Sequence, residues 1–405
     1  MIEVSGYWQR MYQGLIDQGQ DVTLLCLDRH PYSYGGPSQP WMVRAIQRVR
    51  SGHRTIFDKA AEGLLRCGLL VRFALTHDTF VFGYRTSFFN TRDLWLLDKL
   101  GKTVVVVFHG SDERPPFMDG YLGPIQDSEL APMTSRQKDR LNRCRRHADL
   151  IVSNPNSGQL QDGRSLTYHV LGNPVSSPIR ATEPRPGTAA DRTITVLHAP
   201  SNPEAKGSAL IREVCEHLQD DGLDIELVEV VDLPNADLHR RILESDIVVD
   251  QAYGDCPWAM LAAEASLLGR PVIIGGYGHE HLRQFLPTGY VPPAYYCDPA
   301  ALGSAITTLA MDEELRLGLA SDARAFAMSR WSPGQVAMRL MLAIDGEAPD
   351  EWFFDADQIE YLWGGGITRE EVRRRVGSLV HGVGPDALCL DDKPALLARL
   401  IEEAT

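Results

Sequence analysis

The sequence predicts an α/β protein of two domains, each a parallel sheet wrapped by helices, facing each other across a cleft and followed by a small C-terminal helical extension. Three observations lead there. At 405 residues, 44% hydrophobic and 23% charged, the chain is too long for one compact core and too apolar for a disordered chain. Short apolar runs alternate with helical patterns in two separate series, and such alternation means parallel strands covered on both faces. Between the series, Pro174 to Pro186 breaks the rhythm with Ser176, Ser177, Pro178 and Pro184, as a linker does. The expected division is a first domain 1–175, a linker 176–191, a second domain 192–345 and an extension 346–405.

In the first series, Asp21–Leu27, Thr79–Gly83, Thr103–Phe108 and Leu150–Ser153 read as buried strands. Phe57–Leu70, Asn90–Leu100 and Ser135–His147 read as the helices between them. The second series opens with strand Thr193–Leu197, helix Ser208–Leu218, strand Asp224–Val231 and helix Asp237–Leu243. Strand Asp246–Asp250, helix Trp258–Leu268, strand Pro271–Ile274 and helix Pro299–Leu309 continue it, and Ser332–Ile344 closes it. Beyond Gly346 stand Gly364-Gly365-Gly366 and a charged helix, Arg369–Val380, read as a small appendage.

Composition excludes several classes. No apolar run approaches the ~18–20 residues of a membrane-spanning helix. Met1-Ile2-Glu3-Val4-Ser5 carries an acid where a secretory signal needs basic residues. The seven cysteines are far apart, without a C-x-x-C pair, so neither a disulfide framework nor a zinc ribbon is indicated. A reducing cytoplasm is the expected location. A net charge of −14 argues against nucleic acid as a partner. The charge is uneven, however: residues 1–190 hold 23 Lys and Arg against 18 Asp and Glu, the remainder 17 against 36. Basic stretches fall at Arg44, Arg48, Arg50, Arg54 and at Arg136, Lys138, Arg140, Arg143, Arg145, Arg146. They read either as solvated helix faces or as a surface turned to anionic lipid, with peripheral contact at the inner face of the membrane, or to an anionic acceptor.

Ligands of open parallel sheets bind outside the carboxyl ends of the strands, which directs attention to three segments. After strand Thr193–Leu197, a loop of small and polar residues leads to Lys206-Gly207-Ser208 at a helix start, where free N–H groups and a lysine suit a phosphate. The G-x-x-x-x-G-K-[ST] loop is absent, so this is not a P-loop. Glu264, mid-helix among alanines, could accept the paired hydrogen bonds of a ribose diol. His109, followed by Gly110 at the end of an all-apolar strand, points to the cleft. The plain alternatives are a solvated lysine, a surface glutamate and a core histidine.

Together, His109-Gly110-Ser111-Asp112, Gly172-Asn173-Pro174-Val175, His198-Ala199-Pro200-Ser201-Asn202 with Lys206-Gly207, Asp250-Gln251, and Glu264-Ala265 with Gly269-Arg270-Pro271-Val272 resemble a known family over residues 1–345. It is the retaining nucleotide-sugar glycosyltransferases of the GT-B fold, family 4 and its relatives in bacterial polysaccharide and natural-product biosynthesis. The resemblance implies sugar transfer from a nucleoside-diphosphate sugar to a hydroxyl acceptor, a glycan, a lipid-linked precursor or a small molecule, with retention and without metal or other cofactor. It places Lys206 on the diphosphate, Glu264 on the ribose and His109 on the transferring sugar, with Gly6, Ser201, Asn202, Gly207 and Val231 completing the donor site. The family often has an arginine at the position of Ser201 and a glutamate at that of Cys256, where the adjacent Asp255 is the expected substitute. It also usually opens with a full strand, where only Met1–Ser5 precede Gly6. A non-catalytic nucleotide-sugar binder and a sugar-nucleotide epimerase on the same fold are the alternative readings.

Overall fold

The structure, a computed structural model, describes residues 5–27, 37–50, 55–83 and 87–404. Met1–Val4 and Arg54, which entered the expectations above, lie outside them. Two five-stranded sheets organise the described residues. The first holds β1 (Thr79–Gly83), β2 (Thr103–Val107), β3 (Leu150–Ser153) and β4 (Arg164–Thr167), all parallel and in chain order. The second comprises β5 (Ile194–His198), β6 (Ile225–Glu229), β7 (Ile247–Gly254), β8 (Val272–Gly276) and β9 (Tyr295–Cys297), parallel throughout in the order β6-β5-β7-β8-β9.

Alternation of side chains along each strand divides the core into layers. Val104 and Val106 enter one cluster and Val105 and Val107 the cluster on the opposite face, so the valine run of β2 is buried from both sides. In the second sheet Val196 and Val249 face one layer and Leu197 and Val248 the other.

Among the described residues, the expected strand Asp21–Leu27 is not formed. Leu24 and Leu27 are buried, but the Cys26 N–H donates to Gln39 Oε1 (2.9 Å) and its carbonyl accepts from Gln47 Nε2 (2.8 Å). Side-chain amides thus take hydrogen bonds that a ladder would have used. Helices Tyr7–Asp17, Trp41–Arg50, Glu313–Arg330 and Pro394–Ala404, and strands β4 and β9, add to the expected elements.

The chain beyond 345 is woven into the first domain. Residues Phe353–Asp355 form β10, which pairs antiparallel with β4 as the edge of the first sheet. Val372, Val376, Leu396 and Leu400, from helices Arg369–Gly382 and Pro394–Ala404, enter the same core cluster as Val104. The buried Lys393 ammonium donates to the carbonyls of Gln159, Gln161 and Ala356. Helix Pro333–Ile344 also sits on the first domain, packed so closely on Tyr7–Asp17 that a Cβ on Gly14 would lie 2.1 Å from the Pro333 carbonyl oxygen.

Candidate functional site

The order of the second sheet reverses at β5, whose neighbours β6 and β7 lie on either side, and such a reversal opens a crevice at the carboxyl ends of the strands. A cavity of about 150 Å³ occupies it. Ser201 and Lys206 come from the segment after β5, Asp232 and Asn235 from that after β6, Asp250 from β7 and Glu264 from helix Met260–Leu267; Ser5 approaches from the first domain.

Lys206 is buried, not solvated. Asn202 caps the short helical turn Pro203–Lys206 by accepting from Ala205 N–H (3.1 Å), and Gly207 then turns the chain at φ +74° into helix Ser208–Asp220. A Cβ at Gly207 would lie 2.7 Å from Ala252 Cβ, so glycine is required for both reasons. The Lys206 ammonium donates to Gln251 Oε1 (2.9 Å) and lies 3.3 Å from Asp250 Oδ1. Burial works against its charge, but Asp250 more than offsets this and holds the pKa above the ordinary lysine value. The cavity therefore carries a permanent cation.

Glu264 is buried as well. Its Oε1 accepts from Arg10 Nη2 of the first domain (2.5 Å), and Asn235 Nδ2 donates to both oxygens (3.0 and 3.2 Å). His239 Nε2 stands 3.4 Å from Oε2. Burial alone would raise the carboxyl pKa, yet His239 and Arg10 together keep it below its usual value. Arg10 thus reaches from the first domain to a carboxylate that lines the cavity.

His109 is held elsewhere. Its ring packs edge-on against Tyr7, Trp8 and Tyr168, with centroids 4.8, 5.5 and 5.7 Å away, and it does not line the cavity. Burial lowers its pKa to about 3, so it is neutral. Tyr168 Oη gives its hydrogen to Asn173 Oδ1, so its 3.4 Å contact with His109 Nδ1 places the ring proton on Nδ1. Nε2 is then a buried acceptor with no partner among the described residues.

Asp255 meets a cation of the first domain too, as Arg114 Nε and Nη2 reach its Oδ2 at 2.7 and 2.6 Å. Both side chains are buried, and Asn156 Nδ2 closes the same seam on the Asp255 and Gly278 carbonyls (2.7 and 2.8 Å). Gly364-Gly365-Gly366 threads past this pair. Gly120 N–H donates to the Gly365 carbonyl (3.0 Å) and Gly366 N–H to that of Tyr253 (2.6 Å). A Cβ at Gly365 would lie 2.5 Å from Asp255 Oδ1, and one at Gly364 would lie 1.6 Å from the Met118 carbonyl oxygen. Only glycine passes between the domains here.

Of the expected site residues, then, Ser201, Lys206 and Glu264 line one cavity, while Asn202 and Gly207 shape the backbone that carries Lys206. Gly6, at φ +81°, begins helix Tyr7–Asp17 directly after the cavity residue Ser5. Val231 is exposed, and its neighbours Val230 and Asp232 line the cavity instead. His109 and Asp255 lie outside that lining, in the aromatic cluster and the interdomain ion pair. Sequence reasoning missed Arg10, Asn235 and Arg114. Nothing local marks them, because their partners stand 254, 29 and 141 residues away.

No protein-family model matches the sequence, and no curated protein matches it. Among solved structures the chain is similar to Anabaena HepE in complex with UDP-glucose, at 13% identity over 70% of this chain and 82% of that one, with a TM-score of 0.42. Trehalose 6-phosphate synthase from Burkholderia multivorans aligns at 10% identity over 74% and 77%, TM-score 0.45. Sucrose-phosphate synthase from Thermosynechococcus elongatus aligns at 14% over 71% and 78%, TM-score 0.40. Likenesses this distant say nothing of activity.

Proposed function

We propose that the chain transfers a sugar from a nucleoside-diphosphate sugar to a hydroxyl acceptor, with retention of configuration. The observation that supports this most is one cavity, at the reversal point of a parallel sheet, holding a buried ammonium and a buried carboxylate. Lys206 takes the diphosphate and Glu264 the ribose diol, whose hydroxyls replace the Arg10 and Asn235 donors at the carboxylate. Arg10, held beside the cavity by Glu264, supplies the second positive charge that Ser201 lacks, so leaving-group charge is met by protein cations without a metal. His109 is assigned to the transferring sugar, its unpartnered Nε2 being the acceptor for a sugar hydroxyl. A nucleotide-sugar binder without transferase activity is the second reading, favoured by the engagement of Asp255 with Arg114.

Turnover of a nucleotide-sugar panel, followed by release of nucleoside diphosphate, tests both readings. Lys206→Ala lowers the rate by about a hundredfold to a thousandfold and donor affinity by less, because charge grows on the leaving diphosphate as the bond breaks. His109→Ala leaves affinity for the bare nucleoside diphosphate unchanged while transfer falls. Donor binding with neither transfer nor hydrolysis selects the binder, and wild-type rates in both variants remove this cavity from the chemistry.

A further inference from the structure

Helix Ile56–Thr76 buries one face, through Leu69, Leu70 and Phe73, in the core of the first domain. Its opposite face is apolar and uncovered. Phe57, Leu64, Val71 and Leu75 are 81, 75, 58 and 80% exposed. Their spacing keeps them on one stripe about 27 Å long, with the small exposed residues Ala61 and Gly68 between them on the same face. Scattered apolar residues on a surface are ordinary; a continuous stripe over five turns marks an interaction face.

Helix Trp41–Arg50 runs antiparallel beside it, with Met42 Sδ 3.4 Å from a Cβ placed on Gly68 and Arg50 bonded to Glu62 (3.1 Å). It adds an exposed Trp41 and Arg44, while Lys59 and Arg72 flank the stripe. Residues 41–76 carry seven Lys and Arg against two acids, in a chain of net charge −14. One of those acids, Glu62, is buried between Arg50 and Arg66. The other basic stretch differs: Lys138 pairs with Asp392, Arg140 bonds the Asp112 carbonyl and Arg145 holds Asp162 and Ser165.

We propose that this two-helix face docks on an anionic lipid surface, the apolar stripe entering the acyl boundary and the flanking cations meeting the headgroups. Charge complementarity selects lipid over a second copy of the chain, since two such faces would set like charges against each other. The inference stands whether or not the cleft transfers a sugar.

Flotation of the full chain with vesicles of phosphatidylcholine, alone or with about a third phosphatidylglycerol, tests it. Binding is expected only with the anionic vesicles and weakens as salt is raised. Leu64→Glu with Val71→Glu abolishes it, and since both positions are exposed, the melting midpoint stays that of the wild type. Arg44→Gln and Arg72→Gln each lower partitioning about fivefold and leave the stripe intact. Equal flotation with neutral vesicles, no flotation with either, or arginine variants that float like the wild type would overturn the proposal. So would a lipid-free dimer that Leu64→Glu dissociates.

Discussion

Two arginines of the first domain reach buried carboxylates of the second, and their surroundings set them apart. Arg114 and Asp255 are sealed, with Asn156 on one side and a glycine strand too tight for any side chain on the other. Glu264, bonded to Arg10, stands on an open cavity beside Lys206, and Asn235 shares the carboxylate. The same pairing thus serves two ends. Where no ligand can enter, the bridge locks the domains together; where there is room, the carboxylate is held charged and ready for a competitor.

The largest expected effect concerns the sealed pair. Asp255→Ala leaves the Arg114 guanidinium buried with its main partner removed, which costs about 3–5 kcal/mol of stability. Glu264→Ala is expected to cost clearly less, because Glu264 lines the cavity and its removal opens that space to Arg10. Thermal denaturation of the two variants measures the difference, and equal losses would break the distinction. Next in size, Glu264→Gln weakens binding of the nucleoside diphosphate and of the full donor by the same factor, roughly tenfold, since the ribose is common to both. Titration calorimetry that found only the sugar-bearing ligand weakened would move Glu264 away from the ribose.

The smallest effect sharpens the comparison with a carboxyl that has donors but no cation. Glu113 accepts from Ser153 Oγ (2.6 Å), Ser157 Oγ (2.7 Å), Asn154 N–H and Gln161 Nε2 (both 3.1 Å), and burial pushes its pKa up to about 7. Its folded pKa exceeds the unfolded one, so the native state holds the extra proton between about pH 4.5 and 7, and stability falls as pH rises through that window. The melting midpoint is expected to drop by about 2 °C more in the wild type than in Glu113→Gln across it. Parallel pH curves would show that Glu113 is already ionised in the fold.

Legibility in the sequence followed the range of the interactions. Strand Thr79–Gly83 and strand Leu150–Ser153 match their expected bounds, since apolar runs report burial directly. Asp21–Leu27 was equally apolar yet is no strand among the described residues, where Gln39 and Gln47 bond both backbone groups of Cys26. Lys206 and Glu264 were legible as residues at strand ends and on the helix that follows, but their company was not. Asp250 beside the lysine and Arg10 beside the glutamate are products of tertiary docking. The triple glycine was visible only as part of a small appendage, for the need for hydrogen in place of Cβ arises from Met118 and Asp255, distant in the chain.

The closure of the first sheet by β10 reverses the usual order of assembly. Strands β1 to β4 precede the second domain in the chain, yet their edge, the helices that complete their core and the Lys393 pin follow it. Domains that fold as units during synthesis normally do so from the N-terminus. Here the second domain, contiguous in the chain, is free to finish first, and the nascent first domain must wait with its β4 edge unpaired until the segment beyond the second domain has emerged.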